Sequence, residues 1–339
     1  MSPDELKEYR GLWVFIEQRN GNPVRVSLEL LGKGRTLAEE LGVDVTAILV
    51  GEGVSGIPEE LIYYGADRVI IADDPLARDY RTEVYTDIIV EQVLRKRPEI
   101  LLIGATCIGR DLAPRISARL ETGCTADCTE LHIDKEMRLI VATKPFFGRN
   151  LMADFICPFQ RPQMATVRPG VMELKAQDRK RKGELICVDL NLKEEDIRIT
   201  VLDTVRSSSG GTSLEEADKV VVGGMGLGDV KGFEMVKELA DVLRAKVGAT
   251  SLPVDAGWIS KDYQVGQTGK TIRPRLYIGC GVSGAIQHSA GMIHSELIVA
   301  ININPKADIF NFADYGIIGD VNQIVPALIK ELHEMNPKI

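Results

Sequence analysis

Apolar residues recur along this chain in two alternating patterns, short β-prone runs and longer stretches at helical spacing. Gly11–Ile16, Val45–Val50, Arg68–Ala72 and Ile100–Gly104 are almost continuously apolar, as strands buried on both faces of a parallel sheet must be. Between them, Ser27–Leu41 places Leu28, Leu31, Leu37, Ala38 and Leu41 on one side of an amphipathic helix. Pro58–Tyr64 reads as a short helix, Arg78–Arg97 as a long one closed by Pro98, and Asp111–Leu120 continues the alternation. Repeated strand-then-helix order predicts an α/β fold, a mostly parallel doubly wound sheet with helices on both faces. The turn Gly104-Ala105-Thr106 looks like a strand-to-helix ligand turn, while Arg110-Asp111 reads as a surface charge pair.

From Glu130 to Val167 the pattern changes to strand-like pieces, among them Arg138–Thr143 and Met164–Val167. They are expected to be antiparallel strands added to one edge of the sheet, where prolines such as those of Gln160–Gly170 are tolerated. Lys175–Glu184 is a charge run and reads as a solvated loop; Asn191–Arg206 reads as one more strand. Ser207-Ser208-Ser209-Gly210-Gly211-Thr212-Ser213 has linker composition. It sets the expected domain boundary, 1–206 and 207–339.

The second domain opens with the strand Lys219–Val222 running into Gly223-Gly224-Met225-Gly226-Leu227. A helix at Phe233–Arg244, a strand-end turn at Val247–Ser251, a strand at Ile309 and a closing helix at Ile324–Leu332 follow. Its centre is Leu276–Asn302. Strand Leu276–Cys280, glycine turn Gly281–Gly284, helix Ala285–Met292 and strand Leu297–Ile301 form a βαβ unit. Such a turn gathers unpaired backbone N–H groups and the positive end of a helix dipole, which suits a phosphate. Gln287, His288 and Asn302 would converge on the carboxyl edge of the sheet, where open α/β sheets bind ligands. Taken singly, the glycines equally describe a tight turn, and His288 a helix-terminal histidine bonded to backbone.

Composition narrows the partners. At 339 residues with 45% hydrophobic content, the chain has material for two cores. A net charge of −8 with only 5% aromatics argues against a nucleic-acid surface. No apolar run approaches the ~20 residues of a membrane helix. Met1–Glu8 lacks the basic-then-apolar form of a signal peptide, so no membrane insertion and a cytoplasmic chain are expected. Among the six cysteines only Cys124 and Cys128 lie close, without a second pair at zinc-finger spacing. Reduced thiols without metal are expected.

The segments Ser283-Gly284-Ala285-Ile286-Gln287-His288, Gly291 and Ala300-Ile301-Asn302 resemble the signature of the electron-transfer flavoprotein alpha subunit. Val265-Gly266-Gln267-Thr268-Gly269-Lys270 resembles the same family's second FAD motif, at the family's spacing, and Gln160–Gly170 resembles it too. The resemblance implies a nucleotide-hydrolase-like first domain that contacts a beta subunit in a heterodimer. It implies a second domain that binds FAD and carries electrons to or from a flavoprotein dehydrogenase of the acyl-CoA type, and leaves open an anaerobic or bifurcating complex. By resemblance, Ser283, Gly284, Ala285 and Ile286 take the pyrophosphate. Gln267 and Thr268 lie beside the isoalloxazine ring, His288 reaches its O2 side, and Asn302 and Asp320 hold the adenosine half. Met225, Thr250, Val265, Gly266, Gln287 and Val321 complete the implied site.

Two positions depart from the family pattern. Met225 stands where relatives have arginine in Gly-Arg-Gly, and Thr250-Ser251 where they have Ser-Arg. Ser251 supplies no cation, and Arg273 or Arg275 is the expected substitute. Two other readings stay open: a nucleotide-dependent oxidoreductase of another class, and a non-catalytic adenine-nucleotide-binding module.

Overall fold

The computed structural model describes residues 1–146, 151–190, 193–204 and 214–335. The chain divides into two compact units, Met1–Arg206 and Ser207–Ile339. The linker run 207–213 lies outside the described residues.

The first unit is built on strands β1 (Leu12–Ile16), β2 (Val45–Gly51), β3 (Arg68–Asp73) and β4 (Ile100–Gly104), with helices α1 (Arg25–Leu41), α2 (Thr82–Lys96) and α3 (Cys107–Arg119) between them. Strands β5 (Cys124–Cys128), β6 (Glu130–Asp134), β7 (Leu139–Phe146), β8 (Leu151–Phe155), β9 (Gln163–Val167) and β10 (Glu184–Cys187) follow. Seven of them form one sheet in the order β10-β3-β2-β1-β4-β9-β5, all pairs parallel. Alternation along β1 sorts its residues to two cores. Leu12, Val14 and Ile16 pack with Leu30, Leu31 and Leu37 of α1, and Trp13 and Phe15 pack with Ile88 and Ile89 of α2 and Leu112 and Ile116 of α3. Each such fully buried side chain contributes about 1.5–3 kcal/mol.

Three expectations need correction here. Gln163–Val167 is a fully buried interior strand, parallel to both β4 and β5, and not an antiparallel edge. Pro162 and Pro169 flank it, so neither removes a ladder N–H. The antiparallel strands make a separate sheet, β8-β7-β6. The charge run is a loop as expected up to Gly183, and its last residue, Glu184, opens β10, which pairs with β3. Residues 193–204 carry no strand, only a 3₁₀ turn at Glu194–Asp196 tied down by Arg81 to Glu194 at 2.9 Å.

The second unit holds β11 (Lys219–Gly223), α4 (Gly232–Leu243), β12 (Lys246–Ala249), α5 (Ser251–Asp255), β13 (Leu276–Cys280), α6 (Ile286–Ser289), β14 (Ile298–Asn302), β15 (Tyr315–Ile318) and α7 (Val321–Met335). Its five strands are parallel, in the order β12-β11-β13-β14-β15. One face is covered by α4 and α7 through Phe233, Val236, Leu239, Val325 and Ile329. The other face, with Val220, Val222, Tyr277 and Ala300, is covered by Val265, Ile272, Met292 and Ile309. That cover is mostly irregular chain. The helix expected over Ala285–Met292 is a single turn, and Ile309 sits in a 3₁₀ turn, Asp308–Asn311, and not in a strand. Both stretches are short of the length at which helix or ladder bonds sustain themselves, so contact with the sheet fixes them instead. Among the described residues no helix is long and apolar enough to cross a membrane.

Candidate functional site at the carboxyl edge of the second unit

Strand order reverses at β11. The next strand in sequence, β12, lies on one side of it and β13 on the other. The loops leaving the two sides diverge, and a crevice opens at such a switch point. Here it is a cavity of about 370 Å³ lined by Met225, Thr250, Leu252, Ser283, Asn302 and Lys306 among others. Clefts of roughly 300–1,000 Å³ hold small ligands.

Glycines bring the backbones together beneath it. A Cβ on Gly226 would lie 2.8 Å from Gly281 Cα, so the turns after β11 and β13 touch main chain to main chain. Gly284 has φ +87°, and a Cβ there would lie 2.1 Å from the Ile309 amide nitrogen. The Ile309 amide donates to the Ser283 carbonyl at 3.0 Å. The backbone amides of Ser283, Gly284 and Ala285 donate to no acceptor among the described residues. Successive free N–H groups in a turn form an anion-binding cup. The helix behind it has four residues, too few peptide dipoles to sum into a sizeable field. The amides, and not the helix dipole, are what this place offers an anion.

Asn302 braces the cup. Its Nδ2 donates to the Val282 carbonyl at 2.8 Å, and its Oδ1 accepts from the Asn304 amide at 2.9 Å. Thr250 is buried at the start of α5 and its hydroxyl caps no helix amide. Met225 and Leu252 give the cavity exposed apolar walls, at 47% and 59% exposure.

The loop carrying Val265–Thr268 is pinned to the end of β12 and to α6. Val265 N–H donates to Ala249 O at 2.9 Å and Gln267 N–H to Gln287 O at 2.7 Å. Gly266 packs against the same Gln287 carbonyl, with room for no Cβ. The Thr268 hydroxyl oxygen accepts from Gln264 Nε2 at 2.9 Å. The oxygen being thus engaged, the Thr268 O–H proton is left to donate outward. Gln264 is buried while Gln267 and Thr268 are exposed.

His288 lies inside the fold. Its Nε2 is 2.7 Å from the Tyr277 hydroxyl and its Nδ1 2.9 Å from the Val265 carbonyl. Burial, only partly offset by the bond to Val265, pushes its pKa down to about 4. Donation from its Nε2 to a ligand oxygen therefore requires giving up the Tyr277 bond. Ala285, Ile286 and Gln287 have exposed side chains on the outer side of α6. Asp320 stands apart from the cavity. Its Oδ1 accepts from the amide and side chain of Asn322 at 2.9 and 3.0 Å, capping α7, whose first residue Val321 is buried.

The structure thus brings Met225, Thr250, Ser283 and Asn302 to one cavity. It sets Gly266–Thr268 on α6 and leaves Asp320 and Val321 at the end of β15. The expected substitute cation is not where the pattern suggested. Arg275 lies at the amino end of β13, paired with Asp218 at 3.7 Å and Glu296 at 3.9 Å, at the opposite edge of the sheet from Ser283. Arg273 precedes it by two residues and does not line the cavity. Lys306 is the one basic residue lining it, and pairs with no carboxylate among the described residues. Gln264, Tyr277 and Lys306 are the residues the sequence pattern did not single out. Only Gln264 carried a hint, four positions before Thr268.

Free amides, a cation, braced polar side chains and apolar walls fit a ligand with a pyrophosphate and a flat ring system, as FAD has. Comparison with known proteins agrees. The electron transfer flavoprotein domain matches residues 12–192, and the electron transfer flavoprotein FAD-binding domain matches residues 213–293. The chain is 52% identical over 330 residues to the electron transfer flavoprotein subunit alpha of Thermoanaerobacterium thermosaccharolyticum, covering 97% of this chain and 100% of the relative. It is 49% identical over 331 residues to that of Clostridium acetobutylicum, covering 97% and 98%. It is 48% identical over 330 residues to Protein FixB of Clostridium saccharobutylicum, again covering 97% and 98%. The cofactor is FAD, and the chain belongs to the electron transfer flavoprotein alpha-subunit family.

Proposed function

We propose that the second unit holds FAD with its pyrophosphate on the amides of Ser283, Gly284 and Ala285, and that Lys306 supplies charge which Ser251 does not. The unpartnered amides at the strand switch point carry this reading. When bound, FAD supplies one-electron redox chemistry, and the protein tunes it by placing donors and charge. Thr268, its oxygen held by Gln264, presents a proton to the ring edge. Gln267 fixes that turn on α6, and Asn302 holds the Val282–Ser283 turn at the distance the phosphates need. Met225, Thr250 and Leu252 wall the site, Val265, Gly266, Ile286, Gln287 and His288 support the turn, and Asp320 and Val321 lie on the adenosine side.

The first unit, in this reading, packs on a beta subunit. The surface for it is not Gln160–Gly170, most of which is buried. It is the exposed apolar set just before, Met152, Ile156 and Phe159, at 53%, 47% and 73% exposure. A relative 41% identical over 357 residues is named acryloyl-CoA reductase electron transfer subunit beta, from Anaerotignum propionicum. A dehydrogenase acting on acyl-CoA substrates is accordingly the proposed electron partner.

Co-expression with the adjacent subunit, flavin counting and potentiometry test the proposal. One FAD in the second unit should survive, and Thr268→Ala should shift its potential. A lost bond to a charged group costs roughly 1.5–3 kcal/mol, and a tenfold change in a one-electron step is about 59 mV. Shifts of tens to about a hundred millivolts are expected. An unchanged potential would remove Thr268 from the ring.

A further inference from the structure

Tyr277 lies in the middle of β13 and is fully buried. A phenol there needs a partner for its hydroxyl, and it has one, His288 Nε2 at 2.7 Å. The other ring nitrogen, Nδ1, faces the Val265 carbonyl at 2.9 Å. A carbonyl oxygen only accepts, so Nδ1 carries the proton. Nε2 is then the lone-pair nitrogen, and the Tyr277 hydroxyl donates to it. Burial keeps both groups uncharged at neutral pH, since it lowers the imidazole to about 4 and raises the phenol well above 10.

The fold makes room for this arrangement. Gly279 follows two residues on, on the same face of β13, and a Cβ there would lie 3.1 Å from the Tyr277 hydroxyl oxygen. The imidazole in turn joins three elements. It hangs from α6, takes a bond from β13, and gives one to the loop whose next residues are Gly266, Gln267 and Thr268. The same loop is bonded to α6 again through Gln267 N–H and Gln287 O at 2.7 Å.

We propose that Tyr277 is a positioning residue of the flavin site: its hydroxyl, donating to Nε2, holds in place the His288 ring whose Nδ1–H tautomer the Val265 carbonyl sets, and through Val265 that ring sets the turn presenting Thr268. This rests on the reading that the Gly266–Thr268 turn faces the flavin. While Tyr277 holds the ring, Nε2 has no proton to give to a flavin oxygen. Release of that bond is what would turn the imidazole outward.

Full-length protein, co-purified with its partner subunit and loaded with FAD, is labelled with ¹⁵N-histidine. Wild type should show one His288 tautomer, protonated at Nδ1. Tyr277→Phe keeps the ring and removes only the donor to Nε2, so the His288 Nε2 signal should move away from its hydrogen-bonded position. The oxidised-to-reduced flavin ratio at a fixed potential should change by about tenfold, about 59 mV for a one-electron step. Gly279→Ala, which presses on the same hydroxyl, should move both readouts the same way by less, and serves if Tyr277→Phe folds poorly. Unmoved His288 signals, or moved signals with an unmoved potential, overturn the proposal. An unmoved potential in Thr268→Ala alone overturns the site reading instead.

Discussion

The two units present the same kind of edge, parallel strands ending in glycine-rich turns, and furnish it in opposite ways. In the first unit several loop donors are met by the chain's own carboxylates. Asp73 accepts from the amides of Gly53 and Val54 at 2.7 and 3.1 Å. Glu29, 1% exposed, accepts from Gly170 N–H at 3.0 Å, and buried Glu17 accepts from the Thr106 hydroxyl. In the second unit the amides of Ser283–Ala285 have no acceptor among the described residues, and Lys306 stands by. A cleft of about 360 Å³ in the first unit opens at the other end of its sheet, by Arg10, Arg68 and Glu184. Donors already spent on an internal anion are not available to a phosphate. Shared architecture does not imply shared binding.

The hardest test of this contrast is to spoil the open cup. Gly284→Val places a side chain where φ is +87° and the Ile309 backbone leaves no space. Strained backbone alone costs about 1–3 kcal/mol, and the turn must also move. FAD content measured from the visible spectrum should fall to near zero while the first unit stays folded; a variant that keeps its flavin would break the assignment of the cup.

Next in size is the pH dependence carried by His288. Its folded pKa, about 4, lies below the ordinary 6.5, so between these values the unfolded chain binds more protons. Stability from the neutral ring is complete above about pH 6.5 and is lost as pH falls toward 4, by roughly 3 kcal/mol in all. Urea denaturation at pH 7 and 4.5 should show a wild-type loss that His288→Gln lacks. Parallel losses in the two proteins would mean the ring is not held as described.

A smaller effect sharpens the other side of the comparison. Asp73→Ala frees the Gly53 and Val54 amides at an exposed edge, and should destabilise the first unit by about 1 kcal/mol without altering flavin content. Flavin loss in that variant would show that the two edges are not independent. Smallest is Lys306→Gln, an exposed charge worth about 0.2–1 kcal/mol. It should raise the FAD dissociation constant a few-fold at low salt and less at high salt. No change at any salt concentration would remove Lys306 from the site.

Much of this molecule could be read from its residues in order. Strands buried on both faces show as unbroken apolar runs, so β1, β2, β4 and β13 were legible, as was the glycine turn Gly281–Gly284, because glycine spacing is local. Less was legible where neighbours decide. Gln163–Val167 had the polar and proline flanks of an edge strand, yet β4 and β5 close on both its sides. Ala285–Met292 had helical composition, yet main-chain contacts to the loop at Gly266 and the turn at Ile309 allow one turn only.

Side-chain direction was the least legible of all. A motif places His288 next to a ligand edge, but whether its nitrogens face outward or inward depends on Tyr277, eleven positions away, and on Val265, twenty-three away. The replacement for a missing cation depends likewise on which edge of the sheet a residue occupies. Arg275 is near in sequence and at the wrong end, whereas Lys306 is distant and lines the cavity. The sequence by itself determined the continuously apolar strands and the glycine turns, because each is set by residues within a few positions of one another, and it carried the class of ligand through its family motifs. Only the tertiary structure decided which polar groups are already satisfied, because a hydrogen bond consumes a donor wherever in the chain its acceptor comes from.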